Sequence, residues 1–224
     1  FVLSHTKNSE VLLNVIKLAD RFRDSSTLTY LVDLLLMKEE SDEVKESTVT
    51  VRVMCAKAIA NYKDTSTVSS LLYCMNNKNE HYRVRLACAD ALGKIGDRFA
   101  VAPLIEIVQD EEEKSVYVRE SAASALGMLG DVRAVDPLVS ILETKQGLLN
   151  KFTFLKERAL EALNKLNFKG ERVFNAIVKS LRDESVQVRI NAIEALMNSE
   201  DSRAGSLIRE MLDDKSREVV QNAV

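Results

Sequence analysis

The segment "VRESAASALGMLGD" (118–131) recurs along the whole chain, and that recurrence constrains the fold more than any other feature. It returns as "VRLACADALGKIGD" at 84–97, "VRVMCAKAIANYKD" at 51–64 and, more loosely, "VLLNVIKLADRFRD" at 11–24. Downstream copies are "LKERALEALNKLNF" at 155–168 and "VRINAIEALMNSED" at 188–201, with a partial copy, "VVQNAV", at 219–224. The interval drifts between roughly 31 and 40 residues, the range of helical solenoids. Each copy is followed by a second helical run, clearest in "AVAPLIEIVQD" (100–110) and "AVDPLVSILE" (134–143). The unit reads as helix, tight turn, helix, longer turn. One such unit cannot bury its apolar face alone, so the stack is the folding unit.

In the 118–129 helix the recurring apolar positions are Val118, Ala122, Ala123, Ala125, Leu126 and Leu129. Their equivalents stay apolar and mostly small in the other copies. Small side chains on a broad stripe let helices approach from two sides, which a helix inside a stack requires. Gly96 and Gly130 stand where a left-handed residue ends a helix. Asp24, Asp64, Asp97, Asp131 and Asp201 follow in register, where a carboxylate can accept the free amide protons of the next helix. Ser115, Ser185 and His81 stand at helix entrances. Pro103 and Pro137 share a position at which proline either opens the second helix or kinks it.

The pattern VRxxAxxALGxxGD…AVxPL resembles the short HEAT-like repeat, the type found in phycobilisome bilin lyases and many prokaryotic repeat proteins. The resemblance covers essentially the whole chain. It implies an all-α, right-handed α-solenoid of about six HEAT-like helix pairs plus a partial repeat, with residues 1–224 in one domain. It also implies that the Val-Arg helices line the concave face and the Pro-containing helices the outer one. Ankyrin's TPLHxA is absent, as are the Trp and Leu-Gly-x-x-Tyr of tetratricopeptide repeats. Phe1 in place of an initiator Met and the unfinished repeat at Val224 lead us to expect a piece of a longer chain.

Composition agrees with an all-α reading. Only 7 Gly and 2 Pro occur in 224 residues, too few for a sheet protein or a loop-rich enzyme. The 31 basic and 34 acidic residues leave a net charge of −3, which supplies no field for drawing in a nucleic acid or an anionic membrane. Nothing approaches an eighteen-residue apolar run, so no membrane span is expected. Three cysteines cannot all pair, and their spacing fits no metal motif, which favours a reducing, cytoplasmic setting.

Catalytic motifs are missing. There is no Gly-rich phosphate loop, no Gly-x-Ser-x-Gly and no nucleophile–His–acid set. Deoxyhypusine hydroxylase resembles this repeat but holds two irons with several His-Glu pairs, and His5 and His81 are too few for that. Cys55 and Cys88 take the register of Ala122, Ala159 and Ala192, and Cys74 that of Ile107 and Ile141. All three therefore read as core. We expect no cofactor, no metal and no catalysis.

Arg52, Arg85, Arg119, Lys156 and Arg189 share one position. Such a column could track phosphates. HEAT repeats instead use it in a ladder with an Asp of the preceding turn, and "DESVQVR" (183–189) has that spacing. Asn79 keeps it with an amide, and the "DEEEKSVYVR" turn breaks it. We expect a structural ladder.

Residues six positions after each Val lie almost opposite the apolar stripe and are expected on the concave face. They are Lys17, Lys57, Asp90, Ser124, Glu161 and Glu194, basic toward the N-terminal end and acidic toward the C-terminal end. Ten positions on come Arg21, Asn61, Lys94, Met128, Lys165 and Asn198. These groove positions are mixed in sign and hold no Trp or Tyr, which argues against DNA or RNA. The expected function is a non-catalytic scaffold binding a protein or peptide on its concave face. The alternative is a bilin-lyase-like or other enzyme accessory subunit acting on a bound chromophore or modified protein. "KEESDEVKESTV" (38–49) and "DEEEKS" (110–115) read as solvated loops. "ETKQGLLNKFTF" (143–154) is an apolar insertion whose Leu148, Leu149, Phe152 and Phe154 either fill a gap in the stack or form a partner patch.

Overall fold

The computed structural model describes residues 8–37, 46–144 and 153–224. Among them every regular element is helical. The first pairs are α1 (Ser9–Phe22) with α2 (Leu28–Leu36), α3 (Glu46–Tyr62) with α4 (Val68–Asn76), and α5 (Tyr82–Ile95) with α6 (Val101–Gln109). They are followed by α7 (Val116–Leu129) with α8 (Val135–Glu143), α9 (Thr153–Leu166) with α10 (Glu171–Ser180), and α11 (Val186–Asn198) with α12 (Ala204–Glu210). A further first helix, α13 (Arg217–Ala223), starts a seventh unit.

Capping explains where these helices start and stop. The carboxylates of Asp24, Asp64, Asp97 and Asp131 each accept a backbone amide two residues on, at 2.9–3.0 Å. Each opens a one-turn 3-10 segment that leads straight into the second helix. Asp201 makes the same bond to the amide of Arg203. Pro103 and Pro137 are the third residues of α6 and α8, so proline opens the helix rather than kinking it. His81 caps α5, its Nδ1 accepting from the amide of Arg83 at 3.2 Å. First helices end in the left-handed region at Gly96 and Gly130, but also at the non-glycine residues Arg23, Lys63 and Asn167. Glu200, two residues past the end of α11, is left-handed too.

The small-residue stripe does what its spacing predicts. Neighbouring first helices pack along their length, α3 on α5, α5 on α7 and α7 on α9, whereas neighbouring second helices touch only sparsely. The first helices therefore form the tightly packed row of the stack. Gly93 and Gly127 make the closest approaches. A Cβ on Gly127 would stand 2.7 Å from the Cα of Ala162, and one on Gly93 would stand 2.8 Å from the Cα of Ala125. Between the two rows runs one continuous core, with Ile16, Leu31, Ile59, Leu71, Leu92, Leu104, Leu126, Leu138 and Leu160 fully buried. Each such side chain contributes about 1.5–3 kcal/mol of burial. Cys55, Cys74 and Cys88 are free thiols in that core.

Two loop readings are corrected. Glu46–Val49 form the first turn of α3, because the acidic Glu46 suits a helix N-terminus and Val49 enters the core. The "DEEEKS" turn is not wholly solvated, since Glu113 is drawn inside by Arg85. His5, residues 38–45, Leu148, Leu149 and Phe152 lie outside the described residues. Phe154, from the same insertion, opens α9 and is exposed.

Candidate functional site

The register cations are the first candidates, and they are spent on the stack. Arg85 donates from Nε to the carbonyl of Met75 (2.7 Å), closing the end of α4, and from both terminal nitrogens to Glu113 (2.9 and 2.7 Å). Arg52 repeats this with the carbonyl of Leu35 (2.7 Å) and Glu80 (2.9 and 2.6 Å). Arg119 donates to the carbonyl of Val108 (3.1 and 2.8 Å). Lys156 reaches Asp183 (2.8 Å), and Arg189 reaches Asp214 (2.8 Å) and the carbonyls of Asp183 and Glu184. The ladder expectation holds, with one correction. The carboxylate comes from the turn that follows, 25–28 residues on, not from the turn before. Asp183 thus gives its carbonyl to Arg189 and its carboxylate to Lys156.

The inner face of the first helices remains. The residue just before each Val lies at about 260° on the same wheel, beside the 240° of the sixth position. It is Arg83 in α5, Tyr117 in α7 and Phe154 in α9. Tyr117 is 57% exposed and Tyr82 42%. Their ring centroids are 6.0 Å apart, and His81 stacks on Tyr82 at 4.9 Å. Here α3, α5 and α7 form a notch of ≈ 430 Å³, lined by Lys57, Tyr82, Arg83, Leu86, Tyr117, Glu120 and Ser121, with Val53 at its floor. None of the twelve sequence-predicted groove positions is a tyrosine, yet one of them, Lys57, shares this notch with two. These rings sit in the first turn of their helices, ahead of the recurring Val, and so fall outside a register counted forward from it.

Electrostatics in the notch are uneven. Arg83 is paired with Glu46. Arg158, one helix on, is paired with Glu161 at 2.7 Å. Asp90 is pushed above the usual carboxylate range by burial, against a hydrogen bond with Ser121 and the charges of Lys94, Lys57 and Arg158. Burial likewise raises Glu120 and Glu157. Glu120 is the least compensated of the three. Its Oε1 is buried with no hydrogen-bond partner among the described residues.

All twelve sequence-predicted groove residues lie on first helices, and none is buried. Lys17, Lys57, Glu194, Arg21, Lys94 and Lys165 are exposed. Only Lys57 joins the notch. Ser124 is half-buried on α7, and Glu161 is engaged by Arg158. Three of the six tenth positions bridge neighbouring helices. Asn61 donates to Asp20 (2.7 Å), Asn198 donates to Asn164 (3.0 Å), and Met128 lies over Gly93. A second hollow, of ≈ 300 Å³, opens at the turns joining α9 to α10 and α11 to α12. There Arg203 stacks over Phe174 at 4.0 Å and pairs with Glu171, which makes it a joint between repeats. Among the described residues no group of three or more His, Cys, Asp or Glu is placed to hold a metal ion, and no helix is long and apolar enough to cross a membrane.

Two rows of helices, a buried inter-repeat ion ladder and one continuous core define an α-solenoid of the HEAT type. The HEAT repeats family model matches residues 42–117 and 153–224, and the PBS lyase HEAT-like repeat model matches 118–144. The chain belongs to the HEAT repeat family. No curated protein matches it. Among solved structures it is similar to the complex of CpcE and CpcF of phycocyanin lyase from Nostoc sp. PCC7120. That match has 22% identity, covers 84% of this chain and 77% of that one, and has a TM-score of 0.55. It is similar also to an engineered protein, with 18% identity, 88% and 93% coverage and a TM-score of 0.56. Human deoxyhypusine hydroxylase in complex with glycerol overlaps more loosely, with 16% identity, 98% and 78% coverage and a TM-score of 0.46. At these identities the likeness concerns the fold.

Proposed function

We propose that the chain is a non-catalytic docking scaffold that takes an extended segment of a protein partner along the inner face of its first helices. The observation that carries this reading is the notch itself, where Tyr82, Tyr117 and Leu86 from consecutive repeats leave apolar and aromatic surface open beside unspent charge. Exposed aromatics grouped on one face are the usual anchors of protein interfaces. The register cations support it in a negative way, since they are committed to the ladder and leave no phosphate track. One solved structure of similar fold is the complex of CpcE and CpcF of phycocyanin lyase, which is in keeping with a protein partner.

The test is selection of displayed twelve-residue peptides on the whole chain, followed by binding to groove and outer-face variants. Lys57→Glu and Glu194→Lys should each change association rate, more strongly at low salt. Glu106→Lys, on the outer helix α6, should not. Peptides that ignore both groove reversals and are lost with Glu106→Lys would overturn the reading. A chromophore retained by the chain would replace it with the accessory-subunit alternative.

A further inference from the structure

Resting on that reading, we propose that the notch between α3, α5 and α7 is an arginine subsite. One guanidinium of the partner segment stacks on Tyr117 and Tyr82 and donates to the carboxylate of Glu120.

Three observations lead there. First, the aromatic pair is built to stay. The His81 ring stacks on Tyr82 at 4.9 Å and the Tyr117 ring lies 6.0 Å from it, so the rings are grouped before anything binds. A planar cation over such faces is attracted by the ring quadrupole, more strongly where water is partly excluded. Second, the cations of the notch already have counter-charges. Arg83 is paired with Glu46, and Lys57 lies toward Asp90. Arg158, whose charge acts on Glu120, is bonded to Glu161. Third, Glu120 lacks what they have. Glu120 is a half-buried carboxylate lining the notch with one oxygen shut off from water and no hydrogen bond to it among the described residues, and a cation brought into the notch offsets the cost of holding that charge there. The neighbouring Glu157 deepens the negative potential at that point.

Arginine fits better than lysine. Its guanidinium is flat enough to lie on a tyrosine ring while its edge presents parallel N–H donors to a carboxylate. An ammonium can satisfy the charge but cannot stack. An anionic side chain would meet Glu120 and Glu157 and could reach only Lys57.

The experiment uses the full chain with three tripeptides, acetyl-Ala-Arg-Ala-amide and its citrulline and glutamate counterparts, titrated while the tyrosine ring signals are followed by NMR. The arginine peptide should shift Tyr82 and Tyr117 and bind at least about tenfold tighter than the isosteric, neutral citrulline peptide. Glu120→Gln should remove about the same factor without changing the fold, since Glu120 makes no side-chain hydrogen bond or ion pair among the described residues. Tyr117→Leu should weaken binding, and Tyr117→Phe should not. Equal binding of citrulline, indifference to Glu120→Gln, or preference for the glutamate peptide would each overturn the subsite. Long selected peptides that still depend on Lys57 and Glu194, alongside tripeptides that fail at the notch, would sink this inference alone and leave the docking reading standing.

Discussion

Arg85 and Glu113 are 28 residues apart in sequence and face each other through two hydrogen bonds, with side chains only 4% and 2% exposed. The pair ties the start of one repeat's inner helix to the turn that opens the next. Arg85 also closes the carbonyl end of α4, so one side chain joins three segments. Burial alone would drive the Glu113 carboxyl up. The hydrogen bond from Arg85 and the amide of Ser115 more than offset that and hold it below the usual range.

Removing one partner should leave the other charge buried and alone. Glu113→Ala is expected to cost about 3–5 kcal/mol in urea unfolding followed by circular dichroism. Replacing both partners, with Arg85→Met and Glu113→Leu, should recover most of that loss. A double variant no more stable than the single one would show that the bond to the Met75 carbonyl, not the ion pair, holds the joint.

Two backbone substitutions should act against their propensities. Gly127→Ala lies inside a helix, where alanine ordinarily adds about 1 kcal/mol. Here its Cβ would press on Ala162, and overpacking of this kind costs about 1–3 kcal/mol. Lys63, in the left-handed region at φ 53°, should instead gain about 1 kcal/mol as Lys63→Gly. Thermal melts of both variants check the signs, and a stabilised Gly127→Ala would mean α7 and α9 can move apart freely.

Stability should depend on pH in two opposed limbs. Glu113 and Asp214 are held low in the folded state, Asp214 because the hydrogen bonds from Arg189 and the Ser216 amide outweigh its burial. Their contribution is fully present above the ordinary values of 4.5 and 3.8 and is lost as pH falls through the depressed folded values. Asp90, Glu120 and Glu157 are raised by burial, so they take up protons earlier in the folded chain and add stability as pH falls toward the carboxylate range. Urea midpoints should rise gently on mild acidification and then drop steeply. Glu120→Gln should flatten the gentle limb and leave the steep one, and a variant that steepens it would refute the assignment.

The thiols should be silent in the native state. Cys55 is pushed up to about 12 by burial, and Cys74 and Cys88, hydrogen-bonded to each other, are buried as well. Ellman's reagent is expected to find none of the three until urea unfolds the chain, and then all three. Prompt reaction of one thiol in buffer would reveal local opening of the second or third repeat.

Much of the architecture was legible in residue order, because a solenoid is local. Each helix meets only its neighbours, so the spacing of Val118, Ala122, Ala125 and Leu126 within one turn or two already states which face is buried. The Asp caps were legible for the same reason, since Asp97 reaches an amide just two residues away. The left-handed helix ends were half visible. Gly96 and Gly130 announce theirs, whereas Lys63 and Asn167 adopt the same backbone without a glycine to mark it.

What the tertiary structure alone decided lies between repeats. Spacing placed an acid six residues before Arg189 and could not tell that its carboxylate goes back to Lys156 while Asp214 serves Arg189. It read Glu113 as solvated because nothing in the "DEEEKS" turn says that an arginine 28 residues earlier will bury one of its glutamates. The groove escaped in the same way. Tyr82 and Tyr117 are separate residues of separate helices, and only the close packing of α5 against α7 makes them a pair in one notch with Glu120. Periodicity encodes the contacts a helix makes with its own turns, while partners across a repeat boundary depend on how far one helix slides along the next, which is set by packing at Gly93 and Gly127.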